Sequence, residues 1–286
     1  MRLPLRLVRG VVLVGSRPLG RPVPLVVQRA LVEAQARVGR LPRGTTVEQT
    51  VVGGRPAERV TGPVSDGAPV LLLHGGAFIT GSPRSHRVFA AHVAHAVEAP
   101  VVVLDYRRAP EHPYPAAVDD AEAAFEQLSA DGPARVVGDS AGGAIALLLA
   151  LRRREAGRPA PAALALVSPV ADLTLTDALA YRGADAMLRR SWVRQGRDAF
   201  VGAVDPRTIS PLHRDLTGLP PVLLHVSEHE RLRPEGERLA VALGEAGVDV
   251  THELLPDVWH DVHVHAHLVP EGAEAVLRLG RWLRER

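Results

Sequence analysis

The sequence of 286 residues contains no cysteine and no lysine, and only 3% of its residues are aromatic. Without cysteine the chain has no disulfide, no thiolate metal site and no cysteine nucleophile. All 34 basic side chains are arginines, which stay charged at every relevant pH. The few aromatics exclude extended platforms for stacking bases or sugars, and they leave a core of mainly alanine, valine and leucine.

Charge and hydropathy argue against two further classes, nucleic-acid-binding proteins and membrane-spanning proteins. The formal net charge is only +2, and the arginines are spread along the chain, so we expect no nucleic-acid partner. The apolar run 11–14 near the basic N-terminus is too short for a signal peptide or a membrane span. We therefore expect a cytoplasmic protein without stable membrane insertion, although its N-terminus could touch a membrane surface.

The apolar pattern predicts one domain over residues 1–286 with alternating strands and helices. Residues 23–38 have helical periodicity, and 47–52 and 58–61 alternate like a hairpin around Gly53-Gly54. Amphipathic segments then separate a series of apolar runs, at 70–73, 100–104, 134–137, 164–168 and 222–226. Such alternation favours a mostly parallel sheet with helices on both faces.

One serine stands between a predicted strand and a predicted helix, in the sequence Gly138-Asp-Ser140-Ala-Gly142. This is the setting of a nucleophile elbow, in which flanking glycines let the backbone turn sharply and the serine Oγ project. The pattern alone is weak evidence for a nucleophile, because a serine that caps a helix among loop glycines would have the same sequence.

A second glycine-rich turn, His74-Gly75-Gly76-Ala77-Phe78, directly follows the predicted strand 70–73. Such a turn can direct backbone N–H groups at a ligand. Fixed donors of this kind stabilise the oxyanion of acyl transfer by about 3 kcal/mol each. A plain strand-to-loop turn is the alternative interpretation.

Together with the run Tyr106-Arg-Arg-Ala-Pro-Glu111, these two turns resemble the bacterial hormone-sensitive-lipase-like esterases. That family has His-Gly-Gly-Gly, Tyr-Arg-x-Ala-Pro-Glu and Gly-Asp-Ser-Ala-Gly-Gly in this order, and here Ala77 replaces the last glycine of the first motif. The resemblance implies the α/β-hydrolase fold with a helical cap, formed by residues 1–40 and an insertion at 170–209. Candidate walls of the acyl pocket in that insertion are Met187, Leu188, Trp192 and Phe200, and simple packing within the cap is the alternative role for any one of them.

A nucleophilic serine needs a base, which in turn needs an orienting carboxylate, and in α/β-hydrolases the chain order is Ser, acid, His. Alignment of Leu232 with the leucine of the family's Asp-Pro-Leu turn implies Glu230 as the acid, with Glu228 as the second choice. His260 follows the last strand-like run and is implied as the base. Its neighbour Asp261 departs from the family pattern and can raise the pKa of the base.

The resemblance therefore implies that Ser140 attacks a carboxylic ester, forming an acyl-enzyme that water then releases. Backbone N–H groups of the first turn and of the elbow would bind the oxyanion, the candidates being Gly75, Gly76, Ala77 and Ala141. We expect a small-molecule ester of short to medium acyl chain as substrate, with lactones or acetylated small molecules as close alternatives. The route requires no metal or organic cofactor, and the oligomeric state is open.

Two other functions stay open at this point. His260, His263, His265 and His267 crowd one region, and their spacing is compatible with a metal-dependent hydrolase. A catalytically silent α/β-hydrolase that acts as a binding protein is the other alternative.

Overall fold

The computed structural model describes residues 3–286, and Met1 and Arg2 of the predicted segment 1–40 lie outside the described residues. Its centre is one eight-stranded sheet in the order β1-β2-β4-β3-β5-β6-β7-β8. The strands are β1 (Thr46–Val52), β2 (Arg55–Thr61), β3 (Val70–Leu73), β4 (Val101–Leu104), β5 (Arg135–Asp139), β6 (Leu164–Val167), β7 (Val222–His229) and β8 (Val250–Trp259). All neighbours from β4 to β8 pair in parallel, and only the pairs of β2 are antiparallel.

The helices follow the strands in alternation from β3 onward. They are α1 (Leu5–Ser16), α2 (Leu25–Gln35), α3 (Pro83–Val97), α4 (Ala116–Leu128), α5 (Ala141–Glu155), α6 (Thr176–Ala180), α7 (Arg190–Val201), α8 (Pro206–Ile209), α9 (Arg233–Glu245) and α10 (Pro270–Arg284). Short 3-10 turns cover 36–38, 211–213 and 262–265. The fold is thus the predicted α/β-hydrolase fold. Helix α1 was not among the predicted helices.

Buried aliphatic strands explain why this sheet forms. Strands β3 (Val-Leu-Leu-Leu) and β4 (Val-Val-Val-Leu) are entirely buried, as expected for parallel strands covered on both faces. Burial of each such side chain contributes about 1.5–3 kcal/mol. Because β3, β5, β7 and β8 run in the same direction, the loops after them meet at one edge of the sheet.

The predicted segments 1–40 and 170–209 contact each other in the structure. Residues between β6 and β7 form the helices α6 to α8 rather than a single crossover helix. Ser16 Oγ donates a hydrogen bond to the Ala186 carbonyl (2.8 Å), and Gln28 Nε2 donates to Gln195 Oε1 (3.2 Å). The N-terminal helices and the insertion therefore pack as neighbours.

Candidate active site

Ser140 lies in a strained turn between β5 and α5. Its φ and ψ are 51° and −115°, a conformation that costs a non-glycine residue about 1–3 kcal/mol. A Cβ at Gly138 would come within 2.5 Å of the Gly142 carbonyl oxygen, and one at Gly142 would collide with the carbonyl of Leu73. The glycines around the serine are therefore required by the close approach of α5 to the sheet, and the turn projects Oγ at the sheet edge.

His260 and Glu230 reach Ser140 from the ends of the adjacent strands β8 and β7. His260 Nε2 lies 3.0 Å from Ser140 Oγ, and His260 Nδ1 lies 2.7 Å from Glu230 Oε2. Glu230 is fully buried, and its other oxygen accepts the N–H of Ser227 at 2.9 Å. Glu228, the second choice from the sequence, instead accepts the N–H of Asp257 at 2.9 Å. The structure brings together Ser140, His260 and Glu230.

A second carboxylate touches the imidazole. Asp261 Oδ2 lies 3.0 Å from His260 Nε2, and the left-handed backbone of Asp261 (φ 54°) directs its buried side chain toward the site. Burial lowers the pKa of His260, but the Asp261 charge and the hydrogen bonds to Asp261 and Glu230 outweigh burial and hold that pKa well above its usual value. Burial raises the pKa of Asp261 to about 7, against the opposing effect of His260.

The backbone N–H groups of Gly76 and Ala77 belong to the turn after β3, and that of Ala141 belongs to the elbow. Gly76 and Ala77 have φ of 123° and 53°, and a Cβ at Gly76 would collide with the Thr80 backbone. Within residues 3–286 none of these three amides donates to a protein acceptor. They are available to an oxyanion.

The prediction that Gly75 also supplies such a donor is wrong. Its N–H donates to Asp139 Oδ2 at 2.9 Å in a buried contact, so the group points into the protein. Asp139 Oδ2 also contacts His86 Nε2 at 3.1 Å. His86 is not among the residues predicted from the sequence, because nothing in the pattern of α3 marks it, whereas Asp139 is marked by its place in Gly-Asp-Ser.

The Tyr106–Glu111 segment contacts both the turn after β3 and helix α2. Tyr106 Oη donates to the His74 carbonyl (2.6 Å), and its ring stacks on that histidine at 4.2 Å. Glu111 pairs with Arg29 of α2 at 2.7 Å. The segment thus connects the turn at 74–78 to the N-terminal helices.

Two cavities flank Ser140. The larger has a volume of about 330 Å³ and reaches His260, Asp261 and His86. The larger apolar side chains that line it are Val8, Val11, Val12, Leu19, Val32, Val88, Met187, Trp192, Val264 and Leu268. The smaller measures about 20 Å³ and is lined by Ala77, Phe78, Ser140, Val170, Leu175, Leu188, Val193, Arg197 and Leu232.

Three of the four candidate wall residues therefore line a cavity, whereas Phe200 has the alternative role, packing within the fold. Met187 and Trp192 line the larger cavity and Leu188 the smaller. The Phe200 ring stacks on Phe78 with a centroid distance of 4.0 Å and is buried there. Because Phe200 packs on Phe78 of the turn after β3, its side chain lines neither cavity.

The C-terminal histidines do not converge on one point. His263 Nε2 lies 2.9 Å from His225 Nδ1, in a buried pair behind the site, while His265 and His267 line the larger cavity. Within the part of the chain that the structure describes, the residues close enough to share a metal ion are Glu228, His229 and Asp257. That cluster contains none of the histidines His260, His263, His265 and His267.

Comparison with known proteins agrees with this geometry. A model of a family with the alpha/beta hydrolase fold matches residues 70–264. The acetyl-hydrolase of Streptomyces hygroscopicus is 40% identical over 88% of this chain and 86% of its own. The esterase LipU of Mycobacterium tuberculosis is 34% identical over 97% of this chain and 98% of its own.

Solved structures superpose over nearly the whole chain. A variant of the esterase E40 has a TM-score of 0.94 and 33% identity, with 98% of both chains covered. An esterase from the bacterial hormone-sensitive lipase family has a TM-score of 0.90 and 33% identity, covering 100% of this chain and 99% of that one. The chain belongs to the hormone-sensitive-lipase-like esterases of the α/β-hydrolase fold and is a carboxylic ester hydrolase.

Proposed function

We propose that this protein hydrolyses esters of short acyl chains, acetyl esters above all, through an acyl-enzyme on Ser140. The observation that carries the proposal is the continuous chain of contacts from Ser140 Oγ through His260 to Glu230, at 3.0 and 2.7 Å. This arrangement matches the nucleophile, base and orienting acid of a serine hydrolase in residue type, distance and chain order.

Each residue of the site then acts in a defined step of ester hydrolysis. His260 Nε2 takes the proton of Ser140 as Oγ bonds to the ester carbonyl carbon, and Glu230 stabilises the imidazolium. The carbonyl oxygen becomes an oxyanion, which accepts hydrogen bonds from the backbone N–H groups of Gly76, Ala77 and Ala141. His260 next gives its proton to the departing alcohol oxygen. Water, deprotonated by the same nitrogen, then bonds to the acyl carbon. The bond from that carbon to Ser140 Oγ breaks, the carboxylic acid leaves, and His260 returns the proton to Oγ.

We assign the two cavities to the two parts of the substrate from the position of His260. Because His260 must protonate the leaving alcohol, the alcohol lies on the side of the site that His260 lines, which is the cavity of about 330 Å³. The acyl group then enters the cavity of about 20 Å³, which His260 does not line. That volume fits about a methyl group. The substrate class is thus an acetyl ester of a larger, mainly apolar alcohol.

The relatives support this substrate class. The Streptomyces hygroscopicus protein, at 40% identity, is named an acetyl-hydrolase. We assign residues 3–40 and 170–209 to a cap, because both segments line the larger cavity. Longer acyl chains require movement of the cap residues that also line the smaller cavity. Lactone opening uses the same acyl chemistry and stays a prediction, as does a cytoplasmic location.

A fluorophosphonate probe tests the mechanism directly. We expect the wild-type enzyme to gain one adduct, located on Ser140 by mass spectrometry, and Ser140→Ala to gain none and to lose esterase activity. Activity that survives Ser140→Ala and disappears with a chelator would instead indicate a metal-dependent hydrolase. Absence of both adduct and activity in the wild type would indicate a silent binding protein. Either result overturns the proposal.

A further inference from the structure

The N-terminal part of the described chain concentrates positive charge. Residues 3–45 contain eight arginines and a single acidic residue, Glu33, although the whole chain has a net charge of only +2. Arg29 is paired with Glu111, and the other seven arginines form no ion pair with the residues that the structure describes. Six of them are exposed: Arg6, Arg17, Arg21, Arg37, Arg40 and Arg43.

Helix α1 presents an apolar ridge to solvent in the same region. Leu7, Val11 and Val14 expose 55%, 64% and 59% of their surface and follow the spacing i, i+4, i+7, so they lie on one face. A different face of the helix, with Val8 and Val12, is buried against the protein. The apolar side of the helix is therefore wide, and the fold itself covers only the part with Val8 and Val12.

We propose that this ridge, defined as Leu7, Val11 and Val14, docks on an anionic lipid surface, with exposed arginines of residues 3–45 contacting the lipid headgroups. An exposed apolar face in a segment rich in arginine is typical of an interfacial helix. Each arginine near an anionic bilayer contributes about 1 kcal/mol. The docking is peripheral, since within residues 3–286 no helix has the length and apolar content to cross a bilayer.

Charge favours lipid over other occupants. A symmetric contact with a second copy would place this cationic segment against itself, because a twofold interface uses the same patch on both subunits. A nucleic-acid backbone would match the arginines, but it would leave the apolar ridge facing phosphates. An anionic bilayer offers both charged headgroups and an apolar interior.

The ridge adjoins the proposed alcohol side of the site. Val11 both forms part of the ridge and lines the larger cavity, next to Val8 and Val12. If the proposed function holds, an apolar acetyl ester dissolved in lipid can enter that cavity without first crossing bulk water. This consequence rests on the proposed function, whereas the docking does not.

Vesicle flotation tests the docking without any turnover. The full-length Ser140→Ala protein is mixed with vesicles of pure phosphatidylcholine, or with vesicles in which 30% is replaced by phosphatidylglycerol. We expect at least tenfold stronger binding to the anionic vesicles at low salt, and a marked loss of that binding in 0.5 M NaCl.

Two sets of variants separate the apolar from the charged contribution. Leu7→Ser/Val14→Ser should weaken binding at least tenfold, while Val241→Ser/Leu277→Ser, at valine and leucine side chains exposed to 61% and 55% elsewhere, should not change it. Removal of three charges by Arg6→Gln, Arg17→Gln and Arg21→Gln should weaken binding by about fivefold per arginine. The matched control removes three exposed arginines outside the segment, Arg59, Arg207 and Arg281.

Circular dichroism and thermal unfolding confirm that each variant is folded before its binding is compared. Equal binding to both vesicle types, no binding at all, or unchanged binding of the ridge variant would overturn the proposal. It would equally be overturned if light scattering shows a dimer that Leu7→Ser/Val14→Ser dissociates, or if duplex DNA binds through these arginines regardless of the ridge. Because the tested protein lacks the Ser140 hydroxyl, failure of the proposed chemistry cannot produce any of these results.

Discussion

Asp261 Oδ2 and Ser140 Oγ each lie 3.0 Å from the same atom, His260 Nε2. The imidazole can serve as a base for Ser140 only when that nitrogen carries no proton. A negative charge on Asp261 stabilises the protonated form, which therefore persists to higher pH. The groups that face this pair from the neighbouring elements are Glu230, Asp139 and His86.

The first prediction concerns the pH dependence that this pair imposes. The raised pKa of His260 means that kcat/KM increases with pH through a midpoint above 6.5, the ordinary value for histidine. Asp261→Asn removes one negative charge beside the ring and should move this midpoint to lower pH by about one to three units. Rates with p-nitrophenyl acetate between pH 5 and 9 measure the shift.

Asp257→Asn is the matched control, because this exposed carboxylate lies only four residues before Asp261. Its midpoint should equal that of the wild type. A midpoint that stays in place in Asp261→Asn would show that Asp261 does not influence the ionisation of the base.

The second prediction concerns the two glutamates that compete for the role of acid. Glu230→Gln leaves the shape of the side chain but removes the charge that stabilises the imidazolium at 2.7 Å, so kcat should fall by about 10³–10⁴. Glu228→Gln, whose parent carboxylate accepts only the Asp257 N–H, should retain kcat within about twofold, since a single surface contact is worth little. Steady-state kinetics of both variants decide the matter, and the opposite order would assign Glu228 as the acid.

The third prediction concerns acyl-chain length. Leu188 lines the small cavity, and Leu188→Ala removes three carbons from its wall, so kcat/KM for butyrate should rise relative to that for acetate by about 10-fold or more. Met187, its neighbour in the chain, lines the larger cavity instead. Met187→Ala should leave the acetate-to-butyrate ratio unchanged while altering the preference between alcohols. A p-nitrophenyl ester series gives the ratio, and an equal response of both variants would contradict the assignment of the cavities.

The fourth prediction concerns stability. Glu235 is fully buried, its Oε1 accepts the Ala171 N–H at 2.9 Å, and burial raises its pKa to about 8. A carboxyl whose pKa is higher in the folded state stabilises the fold below its unfolded pKa, and this contribution is lost as pH rises from about 4.5 to 8. Glu235→Gln has no charge to bury and should be more stable than the wild type at pH 9 by about 2 kcal/mol.

Urea denaturation at pH 6 and pH 9 measures this difference. At pH 6 the wild-type carboxyl is already mostly protonated, so the gap between the two proteins should be smaller than at pH 9. A gap that does not grow with pH would show that Glu235 is ionised in the folded protein at both values.

Much of the architecture could be predicted from the sequence, because the strands that carry it are continuous aliphatic runs. The runs at 70–73 and 164–168 became β3 and β6 with boundaries changed by one residue at most, and Gly53-Gly54 turns the hairpin with φ of 58° and 74°. The elbow was equally readable, since only small residues fit where α5 approaches the sheet. These features depend on neighbours in the chain or on a periodicity that the chain itself displays.

The remaining features depend on residues distant in sequence. The contact of His86 with Asp139 spans 53 positions, and the burial of the Gly75 amide depends on the same carboxylate. Likewise, the packing of the insertion decides whether Phe200 lines a cavity or stacks on Phe78. The same apolar residues could pack in many other arrangements. The sequence by itself determined the elbow at Ser140 and the parallel sheet through local pattern and sterics. Only the tertiary structure decided which amides remain free, which carboxylates reach His260 and how the space around Ser140 is divided, because those depend on side chains that meet across the fold.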